Sequence, residues 1–162
     1  WMSHQWFFWK TMFDLGESDF AFKIAQTALD VWKTETEASY NCMEHFIIET
    51  GRGAGWHQFG GLSSPVVIWY SSYFCPGNFT SGFDTWIDNK KFNADNSGFT
   101  VDISYTGNNK VMSAVACMNS NFDYTVKWNG KELKNKTFAK GTLSIDIPTE
   151  KVKKGKLEII KK

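Results

Sequence analysis

The sequence predicts an α+β protein in which helices come first and an antiparallel β-sandwich follows. In residues 1–82 apolar side chains recur at helical spacing, whereas from about residue 88 they alternate with polar side chains. The charge changes at the same place. Residues 1–82 contain four Lys/Arg and eight Asp/Glu, and residues 83–162 contain fourteen Lys and nine Asp/Glu. We therefore expect two units, residues 1–82 and 83–162.

The apolar pattern predicts two helices joined by a short link at Gly16. The first helix lies within residues 1–15, and the second is capped by Ser18 or Asp19 and runs to about Trp32. A link this short favours antiparallel packing of the two helices. The residues at helical spacing are Trp6, Trp9, Met12 and Phe13 in the first helix and Phe20, Ile24, Thr27, Ala28 and Val31 in the second.

A third helix is predicted between a Ser63 or Ser64 cap and Pro76–Gly77, with Pro65 in its first turn. Three helices bury too little surface to form a core alone, so we expect them to pack against upstream helices of the same parent protein. Residues 1–82 are therefore interpreted as the last helices of a toroid of helical hairpins, whose loops gather at one end to form a pocket.

The second unit has the period of two that is typical of half-buried strands. Asn129–Gly130 predicts a tight hairpin, and Leu157 and Ile159 mark a last strand between lysines. Five to seven short strands in this length indicate a β-sandwich. Trp128 is expected to face its core and Trp86 to pack between the two units. The other alternating apolar residues are Phe99, Val101, Ile103 and Tyr105, then Tyr124 and Val126, and then Leu143, Ile145 and Ile147.

Composition excludes several classes of protein. The formal net charge of +1 gives no argument for nucleic acid or for an anionic membrane, and no apolar run is long enough to span a bilayer. Three widely spaced cysteines predict neither a disulfide framework nor a structural zinc site. The chain starts at Trp1 without a visible signal peptide, so we expect the natural N-terminus to lie upstream, and localisation stays open.

The segment from Ser39 to Leu62 concentrates the reactive groups of the chain. Within it Glu44 is a candidate general base, which Tyr40, Asn41 and His45 could orient. The alternative is a surface or helix-capping carboxylate. Tryptophans such as Trp1, Trp6, Trp9 and Trp56 can stack on sugar faces. For those at helical spacing a place in the core is favoured, whereas Trp56 lies in the Gly-rich loop, where a core role is less favoured. His4, His45 and His57 do not have metal-ligand spacing, so neither a metal nor a cofactor is predicted.

Three runs in this region resemble the last conserved block of the (α/α)6-barrel inverting α-glycosidases, the family of trehalases, mannosyl-oligosaccharide glucosidases and mannosylglycerate-hydrolase-like enzymes. They are Tyr40–Phe46, Glu49–Gly55 and Phe59–Ser64. The opening Trp1–Trp6 also looks like the Trp-containing motif that begins the penultimate barrel hairpin. The resemblance covers about residues 1–75. Two steps differ from the family pattern, Phe46–Ile47 and Gly61–Leu62, which leaves the substrate open.

The resemblance implies that the chain is the C-terminal portion of a glycoside hydrolase acting on α-linked glucosyl or related sugars. Glu44 would be the general base, while the family's general acid, an Asp, would lie upstream of this sequence. Because inversion needs two carboxyl groups, we expect the 162-residue chain alone to be inactive. The implied sugar-binding residues are Trp1, His4, Gln5, Trp6, Tyr40, Trp56 and His57.

Two other functions stay open at this point. The chain could be a non-catalytic carbohydrate-binding or structural protein, with Trp86, Trp128 or Tyr124 as a sugar platform. It could also come from a phosphorylase or lyase built on the same toroid, although Arg52 is the only cation of the Ser39–Leu62 segment. The sugar, the linkage and the oligomeric state do not follow from the sequence.

Overall fold

A computed structural model describes all residues from 1 to 162 and confirms the α+β class, with antiparallel strands after the main helices. Three helices form: α1 (Met2–Asp14), α2 (Ser18–Ser39) and α3 (Gly60–Phe74). Helices α1 and α2 are joined by three residues around Gly16, whose positive φ of 74° permits the tight turn. The helical part therefore starts with the predicted αα-hairpin.

Two predicted helix boundaries were wrong. Helix α2 continues seven residues beyond Trp32, and within this polar end Thr34 and Ser39 each donate a side-chain hydrogen bond to the carbonyl four residues earlier. It ends at Tyr40, which adopts the left-handed conformation with φ 53°. Helix α3 begins at Gly60 rather than at a serine cap, so that Pro65 lies inside it.

The strands begin earlier than the alternating pattern indicated. A two-stranded hairpin, β1 (His45–Phe46) with β2 (Gly53–Ala54), lies within the Ser39–Leu62 segment, for which no strand was predicted. Strand β3 (Asn78–Ser81) precedes the expected start of the sheet at about residue 88. The remaining strands are β4 (Thr85–Phe92), β5 (Gly98–Tyr105), β6 (Val111–Cys117), β7 (Tyr124–Trp128), β8 (Lys131–Leu133), β9 (Asn135–Ala139), β10 (Thr142–Pro148) and β11 (Lys154–Lys161).

Strands β3 to β11 form two antiparallel sheets, with strand orders β3-β6-β10-β9 and β4-β5-β11-β7-β8. One cluster of buried hydrophobic side chains takes residues from both sheets, among them Ile103 of β5, Ala114 of β6 and Ile145 of β10. The predicted alternation is confirmed in β5 and β7, where buried residues alternate with partly exposed ones. In β6 and β10 neighbouring residues on both faces are buried.

The helices pack on the outer face of the four-stranded sheet. Phe22 of α2 stacks on Phe138 of β9 at a ring-centroid distance of 4.5 Å, and Val115 of β6 belongs to the buried cluster of the helices. The hydroxyl of Ser144 donates a 2.7 Å hydrogen bond to the hydroxyl of Ser18. The sheet therefore supplies one side of the helical core that the helices alone could not close.

Two features differ from the expected arrangement of the units. Strand β3 lies within residues 1–82, yet it pairs with β6 and is an edge of the four-stranded sheet. The side chain of Trp86 in β4 does not pack between the units but is 69% exposed, whereas Trp128 is buried in the core as predicted.

The hairpin at Asn129–Gly130 is confirmed, since both residues have positive φ and connect β7 to β8.

Candidate functional site

The carboxylate of Glu44 is half-buried and held between two tryptophans. Its Oε2 accepts the backbone N–H of Trp56 at 3.2 Å, and its Oε1 lies 3.5 Å from the indole Nε1 of Trp1, at the limit of a hydrogen bond. The backbone N–H of Glu44 donates in turn to the carbonyl of Trp56 at 3.1 Å. Glu44 is thus fixed by its main chain as well as by its side chain.

The β1–β2 hairpin brings these groups together. Glu44 directly precedes β1, and Gly55 directly follows β2, so that the antiparallel register places the two residues side by side. A Cβ atom at Gly55 would overlap the Glu44 carboxylate and the His45 ring, and its φ of 81° is also unfavourable for other residues. Only glycine fits beside the carboxylate at this position.

A second set of hydrogen bonds closes the base of the segment that carries Glu44. The side-chain carbonyl of Asn41 accepts the backbone N–H of Gln58 at 2.8 Å, and its amide nitrogen lies 2.8 Å from Nδ1 of His57. The carbonyl of Cys42 accepts the N–H of Phe59 at 2.8 Å. Residues 41–59 therefore form a closed loop on the surface rather than an open strand.

A groove of about 600 Å³ lies beside this loop, between α1, α2 and the β1–β2 hairpin. The ring of Trp1 lines it, with the rings of His4 and His45 at centroid distances of 5.5 and 5.1 Å from the Trp1 ring. Glu44 is not in the lining itself but contacts Trp1, which is. The lining residues are Trp1, Met2, His4, Gln5, Phe20, Lys23, Ile24, Thr27, Ala28, Val31, His45, Phe46, Ile47, Ile48 and Gly51.

The structure does not bring every predicted sugar-binding residue to this groove. Trp1, His4 and Gln5 line it, but Tyr40 is 92% exposed and Trp6 packs edge-on against Phe83 on the other side of α1. The side chain of Trp56 is 74% exposed and contacts Glu44 only through its backbone. His57, which is also exposed, pairs with Asn41 at the base of the loop.

Sequence reasoning missed one charged residue near the site, Glu35 in the last turns of α2. Its carboxylate is only 2% exposed and accepts Nε of Arg52 at 2.7 Å and the backbone N–H of Gly53 at 2.9 Å. The Arg52 side chain and then the Gly53 amide lower the pKa of Glu35 to about 2. No sequence pattern signals this pair, because helix and loop meet only in the fold.

No group of three or more His, Cys, Asp or Glu side chains gathers where one metal ion could bind. None of the helices is long and apolar enough to cross a bilayer. Comparison of the chain with protein-family models, curated proteins and solved structures finds no match.

Proposed function

We propose that the chain is the C-terminal portion of an inverting glycoside hydrolase that acts on α-linked glucosyl or related sugars, with Glu44 as its general base. The observation that carries the proposal is the carboxylate of Glu44, which contacts the Trp56 amide and the Trp1 indole beside a groove that Trp1 lines. The motif resemblance assigns the same residue to the same role.

General-base catalysis requires a carboxylate that is held in a fixed position and keeps a lone pair free to accept a hydrogen bond from water. Glu44 meets that need, since the hydrogen bonds fix the side chain and each oxygen has capacity for another donor. In the reaction Glu44 would take a proton from water as the water oxygen attacks the anomeric carbon. A second carboxyl group, about 6.5–9.5 Å away, would give its proton to the departing glycosidic oxygen.

That second carboxyl group is proposed to come from upstream helices of the same parent protein. The helices carry large apolar side chains that are exposed, which is typical of surfaces that another element covers. A toroid of helical hairpins would cover them, and the two sheets would pack on it as an appended β-sandwich. These side chains are Phe7 and Phe8 in α1, and Val67, Ile68, Tyr70 and Phe74 in α3.

The test is a substitution in the parent protein. Glu44→Gln should abolish turnover of an α-glucoside and leave sugar binding largely intact, because the amide keeps the shape but cannot accept the proton. Glu49→Gln is the matched control, since Glu49 lies in the same loop and is exposed. Full activity of Glu44→Gln would remove Glu44 from the mechanism.

A second candidate function, carbohydrate binding by the sheets, is favoured by one observation. Trp86 stands exposed on β4, opposite Ser104 of β5, where its indole face could stack on a sugar. Trp86→Ala should then weaken binding of soluble α-glucans measured by calorimetry, while Trp56→Ala, which removes another exposed indole, should not. Equal binding by both variants and the unsubstituted chain would exclude this function.

A further inference from the structure

The Glu35–Arg52 pair lies at the junction between a helix and the loop that carries Glu44. Glu35 accepts Nε of Arg52 at 2.7 Å and Nη2 at 3.4 Å, in addition to the backbone N–H of Gly53 at 2.9 Å. A carboxylate that is withdrawn from water needs such donors, and all three of them come from the loop. The end of α2 is therefore fastened to β2 through one buried side chain.

The connection from Gly53 to Glu44 is short. Gly53 pairs with Phe46 and Ala54 with His45 across the β1–β2 hairpin. Just beyond these pairs, the Glu44 N–H donates to the Trp56 carbonyl and the Trp56 N–H donates to Oε2 of Glu44. Gly53 also lies close to Glu35 of α2 and to Met43, since a Cβ atom there would touch the Glu35 side chain and overlap that of Met43. A displacement of Gly53 from Glu35 would consequently displace the Glu44–Trp56 contact.

We infer that Glu35, through Arg52 and Gly53, is the positioning residue for the Glu44 carboxylate; this inference rests on the proposed role of Glu44 as the general base. Glu35 itself contacts no groove and takes no part in the chemistry. The Glu35 carboxylate fixes the position of the β1–β2 hairpin relative to α2. The hairpin in turn fixes the position at which the Trp56 amide donates to Oε2 of Glu44. An ion pair that only stabilised the fold would leave that last contact unchanged.

The experiment is NMR of the 162-residue chain, which needs no turnover. The first readout is hydrogen exchange of the Gly53 and Trp56 amides, and the second is the pH-dependent shift of the Trp56 amide as its carboxylate partner titrates. Removing a hydrogen bond to a charged group should increase local opening of the hairpin about tenfold in Glu35→Gln. The Trp56 amide should also lose most of its pH-dependent shift.

The matched control is Glu37→Gln, because Glu37 lies on the same helix and forms only an exposed pair with Lys33. It should change neither readout. Arg52→Gln is the second variant, since the Arg52 side chain is 59% exposed and its removal does not disturb the core. It should reproduce the effect of Glu35→Gln even where Glu35→Gln itself fails to fold.

Two results would overturn the inference. One is a Trp56 amide signal whose pH-dependent shift is the same in both variants as in the unsubstituted chain, even if the Gly53 amide exchanges faster. The other is a Trp56 amide signal that shows no pH-dependent shift from a carboxylate in the unsubstituted chain. The proposed function is tested by the turnover of the parent protein with Glu44→Gln, whereas this inference is tested by NMR without turnover. Failure of one can therefore be distinguished from failure of the other.

Discussion

The indole Nε1–H of Trp9 donates a 3.0 Å hydrogen bond to the hydroxyl of Tyr73 in the interior of the helical part. Both side chains are fully buried, and the bond joins α1 to α3. Burial raises the pKa of the Tyr73 phenol, so the hydroxyl stays neutral in the physiological range. The phenol therefore places a polar atom where the indole needs an acceptor, inside a cluster that is otherwise apolar.

Tyr73→Phe should destabilise the chain by about 1–3 kcal/mol, because it leaves the buried Trp9 N–H without an acceptor. The measurement is the free energy of unfolding from urea denaturation. Tyr70→Phe on the same helix is the control, since Tyr70 is exposed, and it should change stability by less than about 0.5 kcal/mol. Equal stability of both variants would show that the Trp9–Tyr73 bond contributes nothing.

The strands of the two sheets could be predicted from sequence because their signals are local. Val101 and Ile103 are buried as their alternation indicated, and Asn129–Gly130 forms the expected hairpin. Strand β3 could not be predicted, because only three residues separate it from the end of α3 and its pairing partner β6 lies more than thirty positions along the chain. Its register follows from that long-range pairing rather than from its own pattern.

The candidate site could be located only in part. The composition of the loop was enough to single out Glu44, but its contact with Trp1 spans 43 positions and has no local signal. Glu35 was missed for the same reason. A Glu in the polar end of a helix normally faces water, and its burial here depends on Arg52, which returns to it 17 positions later. Such partners are set by the fold and not by spacing.

Asp14 at the end of α1 fastens the helices to the start of the five-stranded sheet. Its two carboxylate oxygens accept the backbone N–H groups of Phe83 at 2.8 Å and Asp84 at 3.1 Å. Asp14→Asn replaces one acceptor by an NH₂ group, so one donor loses its partner. We expect a loss of about 1–3 kcal/mol in the free energy of unfolding, and no measurable change for the exposed Asp30→Asn.

The low pKa of Glu35 makes a definite contribution to the pH dependence of stability. Because the folded-state pKa of about 2 lies below the ordinary value of 4.5, ionised Glu35 stabilises the fold above pH 4.5, and this contribution is lost as the pH falls toward 2. The difference in unfolding free energy between the unsubstituted chain and Glu35→Gln should therefore shrink across that interval.

The control for this titration is Glu37→Gln, whose stability curve should run parallel to that of the unsubstituted chain between pH 4.5 and 2. Urea denaturation at a series of pH values gives both curves. If the curve of Glu35→Gln also ran parallel, the pair with Arg52 would not depress the pKa of Glu35 in the folded state.

Two glycines of the loop separate backbone strain from displacement of Glu44. Gly51 and Gly55 have φ of 67° and 81°, so alanine at either position should cost about 1–2 kcal/mol of stability. At Gly51 a Cβ atom meets nothing, whereas at Gly55 it meets the Glu44 carboxylate. Gly55→Ala should therefore also shift the NMR signals of the Trp1 indole and the Trp56 amide, and Gly51→Ala should leave both in place. Unchanged signals in Gly55→Ala would mean that Glu44 does not occupy its position between the two tryptophans.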